Sequence, residues 1–149
     1  MDHQSLIHLF EASVEKYSEN VLLWEKRQNE YRGITYKEAA ERVRDLCAGF
    51  LKMGIQKGDR VALISEGRND WVVGELALLF CGAVSVPLSV KIEEPADLSF
   101  RLHHSGCKGV IVSGNHKHKV FGLQDQLPQL EFAVLLDEME AEDQDETQQ

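Results

Sequence analysis

The amino-acid sequence predicts a three-layer α/β fold, a mostly parallel sheet with helices on both faces. Two observations carry that prediction. Short apolar runs at residues 61–64, 84–88, 110–112 and 133–136, most of them rich in β-branched side chains, recur with centres roughly every 24 residues, which is enough chain for a strand, a loop and a short crossover helix. Within each run the apolar character is nearly continuous rather than alternating, the pattern of strands buried on both faces of a parallel sheet.

The elements follow in order. Ser5 is a good N-cap for a first helix that places Ile7, Phe10, Val14 and Tyr17 on one face. Residues 21–24 and 33–35 read as short strands on either side of a polar turn at Gln28-Asn29. Thr35-Tyr36-Lys37-Glu38 is a capping box, because the Thr hydroxyl and the Glu carboxylate each satisfy a free amide at a helix start. Ala39, Val43, Leu46, Cys47, Phe50 and Leu51 follow at helical spacing, and Gly54 stands where a left-handed C-cap belongs. Between the later strands lie three helical segments. Asn69 or Asp70 is expected to cap a helix over 71–81, Pro95 to open one that ends near Gly106, and Asn115 to cap one over 117–127.

Composition narrows the class. With 149 residues, 43% hydrophobic and 28% charged, the chain suits one soluble domain. Its net charge of −9 is concentrated at one end: residues 137–149 hold seven acids and no base, which leaves 18 acids against 16 bases and a net −2 elsewhere. That balance gives no basic footprint for nucleic acid. The expected organisation is therefore an α/β subdomain over 1–136 and an acidic, mobile tail over 137–149. Cys47, Cys81 and Cys107 are odd in number, widely spaced and each set in or beside an apolar stretch, so reduced buried thiols in a cytoplasmic protein are expected. The N-terminus lacks the basic start and long apolar core of a signal peptide, and the most apolar run, 71–81, is too short to span a bilayer.

Chemistry-bearing motifs are sparse. There is no GxxxxGK[ST] and no GxGxxG, and only Glu66 follows the 61–64 strand, too few acids for a receiver-type metal site. His103 and His104 are adjacent and cannot face one ion, and His116 and His118 have no Cys or acid close by in sequence, so no metal site is predicted. The basic cluster His116-Lys117-His118-Lys119 has two readings, a solvated face or an anion site at a helix start, and composition alone leaves both open.

Three ordered stretches carry a family resemblance. They are Gly33-Ile34-Thr35-Tyr36-Lys37-Glu38-Ala39 through Lys57-Gly58-Asp59-Arg60-Val61-Ala62-Leu63; then Ile64-Ser65-Glu66-Gly67-Arg68-Asn69-Asp70-Trp71; then Gly82-Ala83-Val84-Ser85-Val86-Pro87-Leu88 with His104-Ser105-Gly106-Cys107-Lys108 and Val110-Ile111-Val112-Ser113. Their order and spacing resemble the opening of the adenylate-forming superfamily: acyl-CoA synthetases, luciferases and peptide-synthetase adenylation domains. The likeness covers about residues 5–137. The stretch from Ser65 to Trp71 is most similar to long-chain fatty-acid–CoA ligases, which often carry Ser-Glu-Asn-Arg-x-x-Trp; here Gly67 replaces the Asn, and Ser89-Val90-Lys91 replaces a usual Tyr-Pro-Thr.

The resemblance implies an enzyme that joins a fatty acid to ATP, giving acyl-adenylate and pyrophosphate, and then passes the acyl group to the thiol of CoA. AMP is a far better leaving group than hydroxide, and Mg²⁺ with a lysine offsets the phosphate charge. The family's phosphate loop, its adenine and ribose contacts and its catalytic lysine all fall later than the stretch matched here. No catalytic residue is therefore assigned, and the segment alone is expected to be inactive and to self-associate through apolar surface that the rest of such an enzyme covers. In CoA-forming relatives the turn after the Gly-Ala-x-x-Val-Pro strand and the next helix start lie near the nucleotide of CoA. By position these are Ser89, Val90, Lys91 and Lys119. The alternatives are a non-catalytic α/β binding or interaction module and another adenylate-forming enzyme, such as a peptide-synthetase adenylation domain.

Overall fold

A computed structural model describes residues 5–137, and these divide into two compact units. One comprises the stretch up to Asp59 together with Gly67–Ser85; the other comprises Arg60–Glu66 and the stretch from Val86 onward. The acidic stretch expected to be mobile lies outside the described residues, apart from Asp137.

The first unit begins with α1 (Leu6–Tyr17), whose N-cap Ser5 accepts a hydrogen bond from the His8 amide at 3.3 Å. Phe10 is its buried residue and meets Phe80 edge-on, with ring centroids 6.1 Å apart. Strands β1 (Val21–Arg27) and β2 (Glu30–Thr35) pair antiparallel. Gln28 and Asn29 both take positive φ, 49° and 64°, as a two-residue hairpin turn of the type that matches strand twist requires. Helix α2 (Tyr36–Lys52) starts on the complete Thr35–Glu38 capping box, and Gly54 at φ 88° ends it. It packs against α3 (Asn69–Phe80), with Ala39, Ala40, Val43 and Phe50 buried on one helix and Val73, Ala77 and Leu78 on the other.

The start of α3 departs from expectation. Neither Asn69 nor Asp70 caps it: the N-cap is Arg68, with no side-chain cap. Asp70 lies in the first turn and turns to guanidinium groups, 2.7 Å from Arg68 and 3.3 Å from Arg27. A charge-assisted bond of that kind outcompetes a single amide.

The second unit holds β3 (Arg60–Ile64), the end of β4 (Val84–Pro87) from Val86, β5 (Cys107–Val112) and β6 (Phe132–Leu135) in a four-stranded sheet. The strand order of the sheet is β4-β3-β5-β6. β3, β5 and β6 run parallel. Val61, Leu63 and Ile111 on one face, and Ala62, Val110 and Val112 on the other, are all fully buried, so the sheet is covered on both sides as the apolar runs predict. Each such Val, Leu or Ile contributes about 1.5–3 kcal/mol by leaving water. Helix α4 (Pro95–Ser105) has Pro95 in its first turn and a left-handed Gly106 at φ 66° as its C-cap. Leu98 and Leu102 from α4 join Val120, Leu123 and Leu127 in the core against β3 and β5.

The expected helix over 117–127 is mostly absent. A 3₁₀ turn at Gly114–His116 leads into α5, only His118–Phe121, and a second 3₁₀ turn follows at Gln124–Gln126. Gly122 is a poor helix former, and the Leu123 amide bonds back to Val120, tightening the chain so that Leu123 and Leu127 still reach the core.

Candidate functional site

The four residues expected near a nucleotide come together in the second unit. The chain leaves β4, turns at Ser89–Ile92 and enters α4 at Pro95. The turn is closed by its own bonds: the Ile92 amide donates to the Ser89 carbonyl at 3.3 Å, and the Lys91 amide donates to Ser89 Oγ at 3.2 Å. Val90 and Ile92 are half-buried and pack on the core, which leaves Ser89 and Lys91 exposed at the outer edge.

Lys119 on α5 fastens this turn. Its Nζ donates to the carbonyls of Val90 at 2.7 Å and Ile92 at 3.1 Å, and to Glu93 Oε1 at 2.8 Å. The Lys119 side chain is only 8% exposed, whereas Glu93 is 72% exposed. An ammonium has three donors, and here all three are used. The hydrogen bond from Lys119, and then its charge, hold the Glu93 carboxyl below the usual carboxylate range. A cavity of about 320 Å³ opens beside this contact, with Leu98, Leu123 and Pro95 as its apolar lining and Glu93, Glu94, His118 and Lys119 as its polar lining.

This geometry refines the roles the sequence suggested. Of the two readings left open for His116–Lys119, neither rests on a long helix start, since α5 has only one turn and follows directly on a 3₁₀ turn. Lys119 ties α5 to the turn with all three of its donors. The groups that face solvent are the Lys91 ammonium and the Ser89 hydroxyl.

A second polar cluster was not legible in the sequence. At the carboxyl ends of β3 and β5, Glu66 accepts from Ser113 Oγ at 2.6 Å and from Asn115 Nδ2 at 3.1 Å, and His116 Nε2 lies 3.6 Å away. Asp137 accepts from the Gly114 amide in the same loop. The order of groups excludes a hydrolytic triad. Such a triad needs the imidazole on the hydroxyl, but here the carboxylate stands between them and Ser113 is fully buried. The cluster braces two loops at the strand ends. His104 stacks on Phe100 at 5.4 Å, and among the described residues no three His, Cys, Asp or Glu side chains gather as a metal site.

Comparison with known proteins fits this architecture. The long-chain-fatty-acid–CoA ligase ACSBG2 of Xenopus laevis is 26% identical over 128 residues, which is 85% of this chain but 17% of that protein. Malpibaldin synthetase of Mortierella alpina is 32% identical over 126 residues, 84% of this chain and 2% of its own length. The crystal structure of coronafacic acid ligase from Pectobacterium brasiliense superposes with a TM-score of 0.82 over 92% of this chain and 26% of that one; at 19% identity, the likeness is one of fold. The chain thus spans a small part of the relatives it matches. The family model for AMP-binding enzymes matches residues 10–149, nearly the whole sequence, and the chain belongs to that family.

Proposed function

We propose that this chain is the opening part of an acyl-CoA synthetase that converts a long-chain fatty acid and ATP to acyl-adenylate and pyrophosphate, then transfers the acyl group to CoA. The observation that carries the reading is the Ser65-Glu66-Gly67-Arg68 stretch leading into Trp71, within a chain whose relatives include fatty-acid–CoA ligases from Xenopus and Escherichia coli. No phosphate loop lies in this chain, so ATP and Mg²⁺ would be held by residues outside it, and no chemical step is assigned to a residue here. A cytoplasmic setting belongs to the same proposal and is supported by three unbridged cysteines. No helix among the described residues is long and apolar enough to cross a membrane.

The contribution proposed for this chain is one corner of the CoA nucleotide site. Lys119 holds the Val90 and Ile92 carbonyls, which fixes the turn, and the turn offers Ser89 and Lys91 to a phosphate. Glu93 and Glu94 line the neighbouring cavity, so an anion fits the Ser89–Lys91 face better than the cavity itself. CoA would meet this corner through its phosphates, with Lys91 supplying a point charge of modest strength.

Malpibaldin synthetase, 32% identical over 84% of this chain but only 2% of its own length, favours a second reading, an adenylation domain within a far longer synthetase such as a peptide synthetase. ATP–pyrophosphate exchange by the enzyme carrying this chain separates the two. Exchange driven by long-chain fatty acids, with a CoA thioester formed when CoA is added, is the expected result. Exchange driven by amino acids, with no thioester to CoA, would move the assignment to the second reading.

A further inference from the structure

Two of the three cysteines meet within the first unit. Cys47 lies on α2 and Cys81 is the C-cap of α3, 34 positions later. Their sulfurs are 3.0 Å apart, and Cys81 Sγ is also 3.5 Å from the Cys47 carbonyl. A disulfide bond is about 2.05 Å long, so closing it asks the two sulfurs to approach by about 1 Å. The packing of α2 on α3 already holds the residues that would join. Cys107 belongs to the other unit, is fully buried and has a different partner, the Ser105 hydroxyl at 3.0 Å.

We propose that Cys47 and Cys81 form a dithiol modification site that a low-molecular-weight disulfide oxidises, reversibly, to an intramolecular disulfide linking α2 to the end of α3. Accessibility sets the order of events. Cys47 is partly exposed and Cys81 is only 8% exposed. Burial, and then its hydrogen bond to Cys47, push the Cys81 thiol up to about 12, so Cys81 stays protonated and Cys47 is the group that reacts first. The Cys47 thiolate attacks one sulfur of the reagent, the reagent's S–S bond breaks, and one thiolate leaves. The Cys81 sulfur then attacks Cys47 in the mixed disulfide, its proton passes to the departing thiolate, and the second thiol is released. The protein loses two electrons and two hydrogens; the reagent gains both and departs as two thiols. Any thiol reductant reverses the exchange.

Peptide mapping tests this without any substitution. The chain is incubated with oxidised glutathione, denatured in excess N-ethylmaleimide and digested without reductant. The expected map holds a crosslinked peptide pair containing Cys47 and Cys81, maleimide on Cys107 and no retained glutathione, and dithiothreitol removes the crosslink. Cys81→Ser should trap glutathione on Cys47, and Cys47→Ser should leave Cys81 free to be alkylated after denaturation. Wild-type protein in which Cys47 keeps glutathione while Cys81 is alkylated, or in which both are alkylated, would overturn the proposal.

Discussion

Replacing Lys119 with methionine keeps most of the side-chain stem and removes only the ammonium, so it isolates what the charge does. Two of the three lost bonds run to the backbone carbonyls of Val90 and Ile92, from a side chain that is 8% exposed. A hydrogen bond from a charged donor is worth about 1.5–3 kcal/mol net. The carbonyls sit on an exposed turn where water can take over, so the pair together should contribute nearer 2 kcal/mol than the sum. The Glu93 contact adds little, since that carboxylate is 72% exposed and screened by solvent. With a urea m-value of about 1–3 kcal/mol per molar, the midpoint of unfolding followed by circular dichroism should fall by roughly 1 M. The slope should stay unchanged. An unaltered midpoint would mean that the turn holds its shape without Lys119, and the positioning role assigned to that residue would be wrong.

Three further outcomes follow from the same structure. Glu93→Gln should flatten the acid limb of the stability curve only slightly, since Glu93 is exposed and screened: the carboxyl is lowered in the folded chain by Lys119, so its small stabilisation is complete above its ordinary value of 4.5 and lost as pH falls through the lowered folded value. Wild type and variant should therefore converge in strong acid, which urea titrations at stepped pH would reveal. Gly109→Ala should cost about 1–3 kcal/mol, because Gly109 pairs with Phe132 across β5 and β6 and an added methyl would overlap that ring. Adding Phe132→Ala to that variant should recover part of the loss, and strictly additive effects would disprove the clash. Thr35→Ala should cost about 1 kcal/mol by opening the capping box of α2, seen as a lowered thermal midpoint.

Local chemistry in this chain could be read directly, and long-range chemistry could not. The cap at Ser5, the capping box at Thr35 and Glu38, Pro95 at a helix start and left-handed Gly54 and Gly106 all depend on neighbours within four or five residues, and each stands where its residue type predicts. Asp70 misled because it turns to Arg68, only two positions away at 2.7 Å, in place of a helix amide; the second contact, with Arg27 43 positions away, is visible only once β1 and α3 are folded. The break in the 117–127 helix was signalled by Gly122, but Val120, Leu123 and Leu127 kept a helical spacing that 3₁₀ turns serve equally well. At the candidate site, sequence order placed Ser89, Val90, Lys91 and Lys119 in one region through a family resemblance. What it could not supply was the direction of the Lys119 ammonium, which points at carbonyls 27 and 29 positions earlier. The Glu66 brace spans 47 positions to Ser113 and left no local trace at all.

The central claim is that the Ser89–Lys91 turn, held by Lys119, forms part of the CoA nucleotide site of an acyl-CoA synthetase. Its most direct test is the kinetics of the two half-reactions in the enzyme carrying Lys91→Ala or Lys119→Met. Loss of the exposed Lys91 contact, worth on the order of 1 kcal/mol, should raise the CoA KM several-fold, and Lys119→Met should raise it by releasing the turn that presents Ser89 and Lys91. Adenylation precedes CoA, so fatty-acid-dependent ATP–pyrophosphate exchange should stay close to wild type. Equal losses in both half-reactions, or no change in either, would contradict the assignment.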